Sequence, residues 1–235
     1  MRTVSIVLFA AIALCSAVAA DPTIFGNSGL LMIPNDVVVR QNGFSIGAKS
    51  FHSELPDTDE AFRFYSCSLN IGVWKNLEAG ACLLDPKDGG SKLLINAKYL
   101  ALPETLNRPS IAVGVVDAAS QLDEITGCND DPGFYVVASK NLTPEVETVA
   151  KKSIRPVRGT LGFGTGIYNG VLAGLDFLVT PKTGICLEYL NSGLRDRSTF
   201  NAALRYRPAL GFAVEGGLIN FEDASLGVSY EAVKF

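Results

Sequence analysis

Phe200-Asn201-Ala202-Ala203-Leu204-Arg205-Tyr206-Arg207-Pro208 places Phe200, Ala202, Leu204 and Tyr206 on one face of an extended strand and Asn201, Ala203, Arg205 and Arg207 on the other. Side chains of a strand alternate between its faces, so this segment can turn one face to lipid and carry charge into a lumen on the other. The same texture runs from Phe44 to Phe235: about a dozen short stretches with every second residue apolar, each ended by Pro, Gly, Asn or Asp. No convincing helix separates them. The pattern predicts an all-β, antiparallel transmembrane barrel of about twelve strands in a single domain.

The predicted strands are Gly43 to Ser50, Ala61 to Val73, Leu77 to Leu84, Lys92 to Leu102, Ser110 to Ala118, Gly133 to Leu142, Arg158 to Thr165, Val171 to Thr180, Gly184 to Leu190, Thr199 to Tyr206, Leu210 to Ile219 and Leu226 to Phe235. Their even number suits a single-chain barrel, although a sandwich tolerates either parity. Tight connections follow Val73, Thr180 and Tyr206. Longer ones span Phe51 to Glu60, Asp85 to Ser91, Ala119 to Pro132 and Asn191 to Ser198. That alternation puts both chain ends on the tight-turn side. Thr143 to Pro156 departs from it, being long on the short side; Glu147 and Lys151, four apart, suit a helical turn, and an extra strand is the other reading.

Paired strands must bring their lipid-facing residues opposite one another. Tyr65, Cys67, Leu69, Ile71 and Val73 meet Leu77, Ala79, Ala81 and Leu83 only across an odd-length turn, such as Trp74, Lys75 and Asn76 with Asn76 left-handed. The same parity recurs for Val179 with Ile185 and for Tyr206 with Leu210. On this register Cys67 faces lipid, Cys82 and Cys186 face inward, and Cys128 lies in a loop. No disulfide essential to the fold is expected. With no CxxC and His52 the sole histidine, a zinc site is not expected, nor any other metal or cofactor.

The 235 residues open with Arg2, an apolar run from Val4 to Leu14 and the small residues Ala17 to Ala20, which fits a cleavable signal peptide over 1–20 with a mature start at Ala20 or Asp21. Cys15 follows Leu14, where lipid attachment wants a small residue, so ordinary cleavage is preferred. No later apolar run approaches the length of a spanning helix. What remains reads as an N-terminal segment, 21–42, and a barrel, 43–235. A net charge of −4, with acids gathered at Glu54 to Glu60 and Asp123 to Asp131, argues against a nucleic-acid partner. Charged residues are only 19%, which favours lipid over water as the outer solvent.

Inward positions include Lys49, Glu78, Lys98, Arg158, Asp176, Glu188, Arg205, Arg207 and Glu215, with Asn70, Lys92, Asn96, Asn201 and Glu231 beside them. Their mixed signs predict a network of ion pairs filling a narrow barrel, in preference to a polar conduit or sugar-binding groove. Asp176 and Glu188 are a formal carboxylate pair for a glycosidase, but inward acids on any barrel generate such pairs, and no GxSxG occurs. Gly162, Gly164 and Gly166 lack the following helix of a phosphate cradle, so bending or close approach of another segment inside the barrel is the simpler reading. Tyr99 and Tyr206 read as membrane-girdle residues. Phe235 resembles a terminal assembly aromatic but is out of phase with Leu226, Val228, Tyr230 and Ala232.

Thr23 to Gly43 reads TIFGNSGLLMIPNDVVVRQNG, with Gly26, Gly29, Leu30, Pro34, Asn35 and Gly43 at the places where YjbH-like outer-membrane proteins carry a glycine-rich element, a GL pair, an apolar step, Pro and a later Gly. LNIGVWKNLEAGACLL, Leu69 to Leu84, also resembles that family. The resemblance implies an exopolysaccharide-associated barrel of the cell outer membrane, with the opening segment tucked into the barrel. Its partners would be outer-membrane lipid, the barrel-assembly machinery and polysaccharide. No catalytic residue follows from it. The reading is therefore a non-enzymatic barrel supporting exopolysaccharide export or envelope integrity. Its rivals are a secreted soluble β-sandwich that binds a ligand and an envelope enzyme working in the lumen.

Overall fold

The computed structural model describes residues 20–54, 61–87, 90–122, 131–143, 156–191 and 198–232. Twelve strands follow in chain order: β1 (Phe44–Glu54), β2 (Ala61–Trp74), β3 (Leu77–Pro86), β4 (Lys92–Leu102), β5 (Ser110–Val116), β6 (Gly133–Asn141), β7 (Val157–Gly164), β8 (Gly170–Thr180), β9 (Thr183–Leu190), β10 (Thr199–Ala209), β11 (Phe212–Ile219) and β12 (Asp223–Ala232). Each pairs antiparallel with its neighbours, and β12 closes on β1 with Phe44 opposite Ala232 and Phe51 opposite Ser225. The sheet is one closed wall. A β-sandwich needs two packed layers, so that rival is excluded by the closure.

Alternation decides which face is outside. Leu69, Ile71, Leu83, Ile95, Val136, Leu204, Val214 and Val228 are exposed on the wall, while their strand neighbours Asn70, Cys82, Leu94, Asn96, Ala203, Arg205, Ala213 and Glu215 are buried. An apolar exterior around a closed sheet has no second layer to pack on, and lipid is the solvent that suits it. Exposed Trp74, Tyr99, Tyr206, Phe212 and Tyr230 ring the end of the wall that bears the tight turns; Tyr65, Phe134, Phe163 and Phe200 ring the other. Two aromatic bands on an apolar wall mark the two membrane interfaces. The fold is a single-domain transmembrane β-barrel.

In the β2–β3 hairpin Leu69 faces Ala81 and Ile71 faces Ala79, as the odd parity demands. The connection is shorter than predicted: Trp74 pairs with Leu77, the turn is Lys75 and Asn76, and a bulge after Gly72 restores the parity. Asn76 takes the left-handed conformation at φ 68°. Ile185 faces Phe177 and not Val179, and Tyr206 faces Val214 and not Leu210. There the strands run on until only two residues turn, Pro181–Lys182 and Leu210–Gly211, so the pairing slides while each residue keeps its face. The proposed helical turn at Glu147 and Lys151, Cys128, the leader and Phe235 lie outside the described residues. Cys67 is exposed on the wall, Cys82 and Cys186 are buried inside, and all three are free thiols.

The interior divides along the barrel axis. Toward the long loops it is apolar: Phe51, Phe64, Leu84, Leu94, Val116, Leu172, Leu190 and Ile219 are buried there, and the Phe51 and Phe64 rings stack 5.2 Å apart. A single 3-10 turn, Gly166–Tyr168, sends Tyr168 back inside. Gly164 makes room for it, since a Cβ there would lie 2.6 Å from that of Tyr168. Toward the tight turns the lining is charged.

Candidate functional site

The lumen is filled by the chain's own N-terminal segment. Residues 20–36 are all buried, and the segment returns through Arg40 and Gly43 to β1 at the tight-turn end. It folds first on itself: Ile24 N–H donates to Leu31 O at 2.9 Å, Gly29 N–H to Asp21 O at 2.9 Å, and Leu30 N–H to Ile33 O at 2.9 Å. Two glycines permit this compactness. Gly26 sits at φ 97° against Cys82, and a side chain on Gly29 would collide with Ile33 O. Leu30 to Ile33 then face the apolar half of the lumen, all nearly inaccessible.

A looped segment leaves many backbone groups without ladder partners, and buried ones must be satisfied. The wall supplies them. Glu188 on β9 accepts from Leu31 N–H at 3.1 Å, Met32 N–H at 2.9 Å and Ile33 N–H at 3.3 Å, and from Asn201 Nδ2 at 2.9 Å. Glu78 on β3 accepts from Ser28 N–H at 3.1 Å, Ser28 Oγ at 2.6 Å and Val39 N–H at 2.9 Å. Carbonyls are met by donors: Asn70 Nδ2 to Gly26 O at 2.6 Å, Asn96 Nδ2 to Phe25 O at 2.8 Å and Lys98 Nζ to Ser28 O at 2.8 Å. Tyr168 Oη donates within reach of Met32 O at 3.1 Å.

Two ionic clusters pin the segment's ends. At the first, Arg205 binds Asp21 at 3.1 Å, Arg207 also binds Asp21, and Arg205 and Lys49 both bind Glu215. Ser229 Oγ donates to Asp21 at 2.9 Å. At the second, Arg158 grips Asp36 at 2.6 Å and Glu104 at 2.8 Å, and Ser110 Oγ donates to Asp36 at 2.7 Å. Burial disfavours the charged form of both aspartates, but Arg205 and Arg207 hold the Asp21 carboxyl below its ordinary value, and Arg158 does the same for Asp36.

All nine inward candidates therefore line the lumen, though not as a wall network alone. Glu78, Lys98 and Glu188 spend their hydrogen bonds on plug backbone, while Arg158, Arg205 and Arg207 bind plug aspartates. Asp176, opposite Cys186 and Arg158 on neighbouring strands, stands near the first cluster. Glu188 has both oxygens engaged by plug donors, which makes it an anchor. Sequence reasoning missed Asp21, Ser28, Asp36 and Tyr168, because none lies on a period-two strand. A signal was present in the inward glycines: a Cβ on Gly47 would press Pro22, one on Gly174 would press Leu30 and Ile33, and one on Gly217 would press Leu31.

No group of three or more His, Cys, Asp or Glu able to hold a metal occurs among the described residues. No protein-family model matches the chain, and no curated protein is significantly similar to it. Among solved structures it is similar to the KdgM porin, at 14% identity and TM-score 0.49 over 81% of this chain and 99% of that one. It is also similar to the Acinetobacter baumannii outer membrane protein Omp33, at 12% identity and TM-score 0.40 over 84% and 99%. A triple mutant of the Rhodopseudomonas blastica porin aligns at 14% identity and TM-score 0.32 over 72% of this chain and 55% of its own.

Proposed function

We propose that this chain is a non-enzymatic outer-membrane β-barrel, sealed by its own N-terminal segment, that supports exopolysaccharide export or envelope integrity as YjbH-like proteins do. One observation carries the reading: Thr23 to Asp36, the larger part of the stretch that resembles that family, fills the lumen. Gly26, Gly29, Leu30 and Pro34 have a physical reason to stand where they do, since they shape a loop compact enough to fit inside twelve strands. The lumen offers little to catalysis. Glu78 and Glu188 are engaged by plug donors, and Asp21, Asp36 and Glu215 by arginines. Its partners in this reading are outer-membrane lipid, the barrel-assembly machinery and polysaccharide.

The test is deletion of the gene in its native host, with surface polysaccharide and detergent sensitivity measured together. The full chain should restore both, and a chain lacking residues 21–42 should fail to do so while still reaching the outer membrane. A deletion that alters neither property would remove the proposal. Asp176→Asn separates the enzymatic rival: polysaccharide output should be unchanged, and its loss in a normally assembled barrel would favour catalysis.

A further inference from the structure

We infer that leader removal cuts between Ala19 and Ala20, and that the new α-ammonium group of Ala20 becomes the buried counter-ion of Glu231, tying the plug to the last strand. The inference rests on the reading of the chain as an exported outer-membrane barrel. Ala17 and Ala19 supply the small residues that signal cleavage wants at the third and first positions before the cut. A cut one residue later would place Val18 at the third.

The geometry favours the earlier cut. Ala20 is only 1% exposed. Its nitrogen donates to Glu231 Oε2 at 3.0 Å, and its carbonyl accepts from Ser45 Oγ at 2.8 Å. With the leader attached, the Ala20 nitrogen is an amide with one N–H. Hydrolysis breaks the Ala19–Ala20 C–N bond, adds the hydroxyl of water to the Ala19 carbonyl carbon and leaves an amine on Ala20. That amine is protonated at neutral pH, its ordinary pKa being about 8. The contact, until then a carboxylate accepting from a neutral amide, becomes an ion pair between the ammonium and the Glu231 carboxylate. Cleavage after Ala20 would discard both Ala20 contacts and set the new ammonium on Asp21, the residue whose carboxylate binds Arg205 and Arg207.

The experiment uses the full chain purified from outer membranes in mild detergent. Intact mass and N-terminal sequencing should give Ala20 as the first residue. An amine-reactive ester applied near neutral pH should label the α-amine about tenfold more slowly in the folded than in the unfolded protein, a ratio within reach of one charge-assisted hydrogen bond. Glu231→Gln should raise the folded-state rate several-fold while the barrel keeps its heat-dependent gel shift. Burial alone would protect the amine equally in both proteins, so equal rates would overturn the pairing. If that variant does not assemble, Glu231→Asp, which keeps the carboxylate and shortens its reach, takes its place, and a rate equal to wild type overturns the pairing. A first residue of Asp21, or equal labelling of folded and unfolded wild type, overturns the inference and leaves the export reading standing. A retained leader, or absence from the outer membrane, overturns both.

Discussion

Glu188 Oε1 lies 2.9 Å from the backbone N–H of Met32, a residue 156 positions earlier in the chain. With Leu31 and Ile33 donating to the same carboxylate, β9 satisfies one face of the plug's apolar turn. Glu188→Gln replaces an accepting oxygen by an N–H₂ group and leaves a buried donor unmet, which costs about 1–3 kcal/mol. The heat-dependent gel shift should move to lower temperature, and an unchanged midpoint would argue that Glu188 does not anchor the plug.

Arg205 sits between Asp21 of the plug and Glu215 of the wall. Arg205→Leu removes the cation these two buried carboxylates share and leaves Asp21 to Arg207 and Glu215 to Lys49, so the loss should stay below the roughly 3–5 kcal/mol of a fully uncompensated buried charge. Arg205→Lys, which keeps a cation at the site, should lose less than Arg205→Leu. Denaturant unfolding of the two variants against the wild type measures it.

The depressed Asp21 and Asp36 carboxyls give the plug a defined acid sensitivity. A carboxylate whose folded pKa lies below its unfolded value contributes stability that is present above the unfolded value and is lost as pH falls through the folded one. The unfolded reference is 3.8, so the part of plug seating that these two aspartates supply should hold from neutral pH down to about that value and weaken below it. Protease nicking within residues 21–42, followed against pH, should rise on that acid limb. Asp21→Asn should flatten part of the curve.

Leu204 and Val228 face outward, 51% and 45% exposed. Spin labels at these positions should relax with dissolved oxygen and ignore a water-soluble nickel chelate. Arg in place of either should destabilise by about 2–4 kcal/mol where the site lies near the bilayer midplane. An aqueous signal in native vesicles at both would refute the membrane orientation of the wall.

Gly174 on β8 leaves the space taken by Leu30 and Ile33. Gly174→Val overpacks that contact and should cost about 1–3 kcal/mol, whereas Gly90, whose surroundings are open, should accept Ala without a measurable shift. Paired thermal midpoints test the contrast.

The strands were legible because lipid on one side enforces a period of two, as Phe200 to Arg207 shows, and faces followed even where pairing did not. Pairing at Val179 and Tyr206 slid because bulges and strand length are set by contacts that one hairpin's sequence does not display. The lumen was half legible. Lys49, Glu78, Arg205 and Glu215 stand out as polar residues between apolar ones, but Leu84 and Leu94 sit beside Leu83 and Leu93, so the chain looks apolar on both faces there. Leu84 and Leu94 belong to one buried cluster that joins Phe51 and Phe64 to the apolar residues of the plug. The plug itself, Ile24 to Ile33, has no periodicity, since each residue answers a different strand.

Asp21 accepts from Ser229, 208 residues later, and contacts across so much chain fix an order of events. The opening residues have no complete wall to meet until the final strand is made. Sealing must come last, and until then the aspartates and leucines of the opening segment stay uncovered. A barrel built this way cannot close on its beginning until its end arrives.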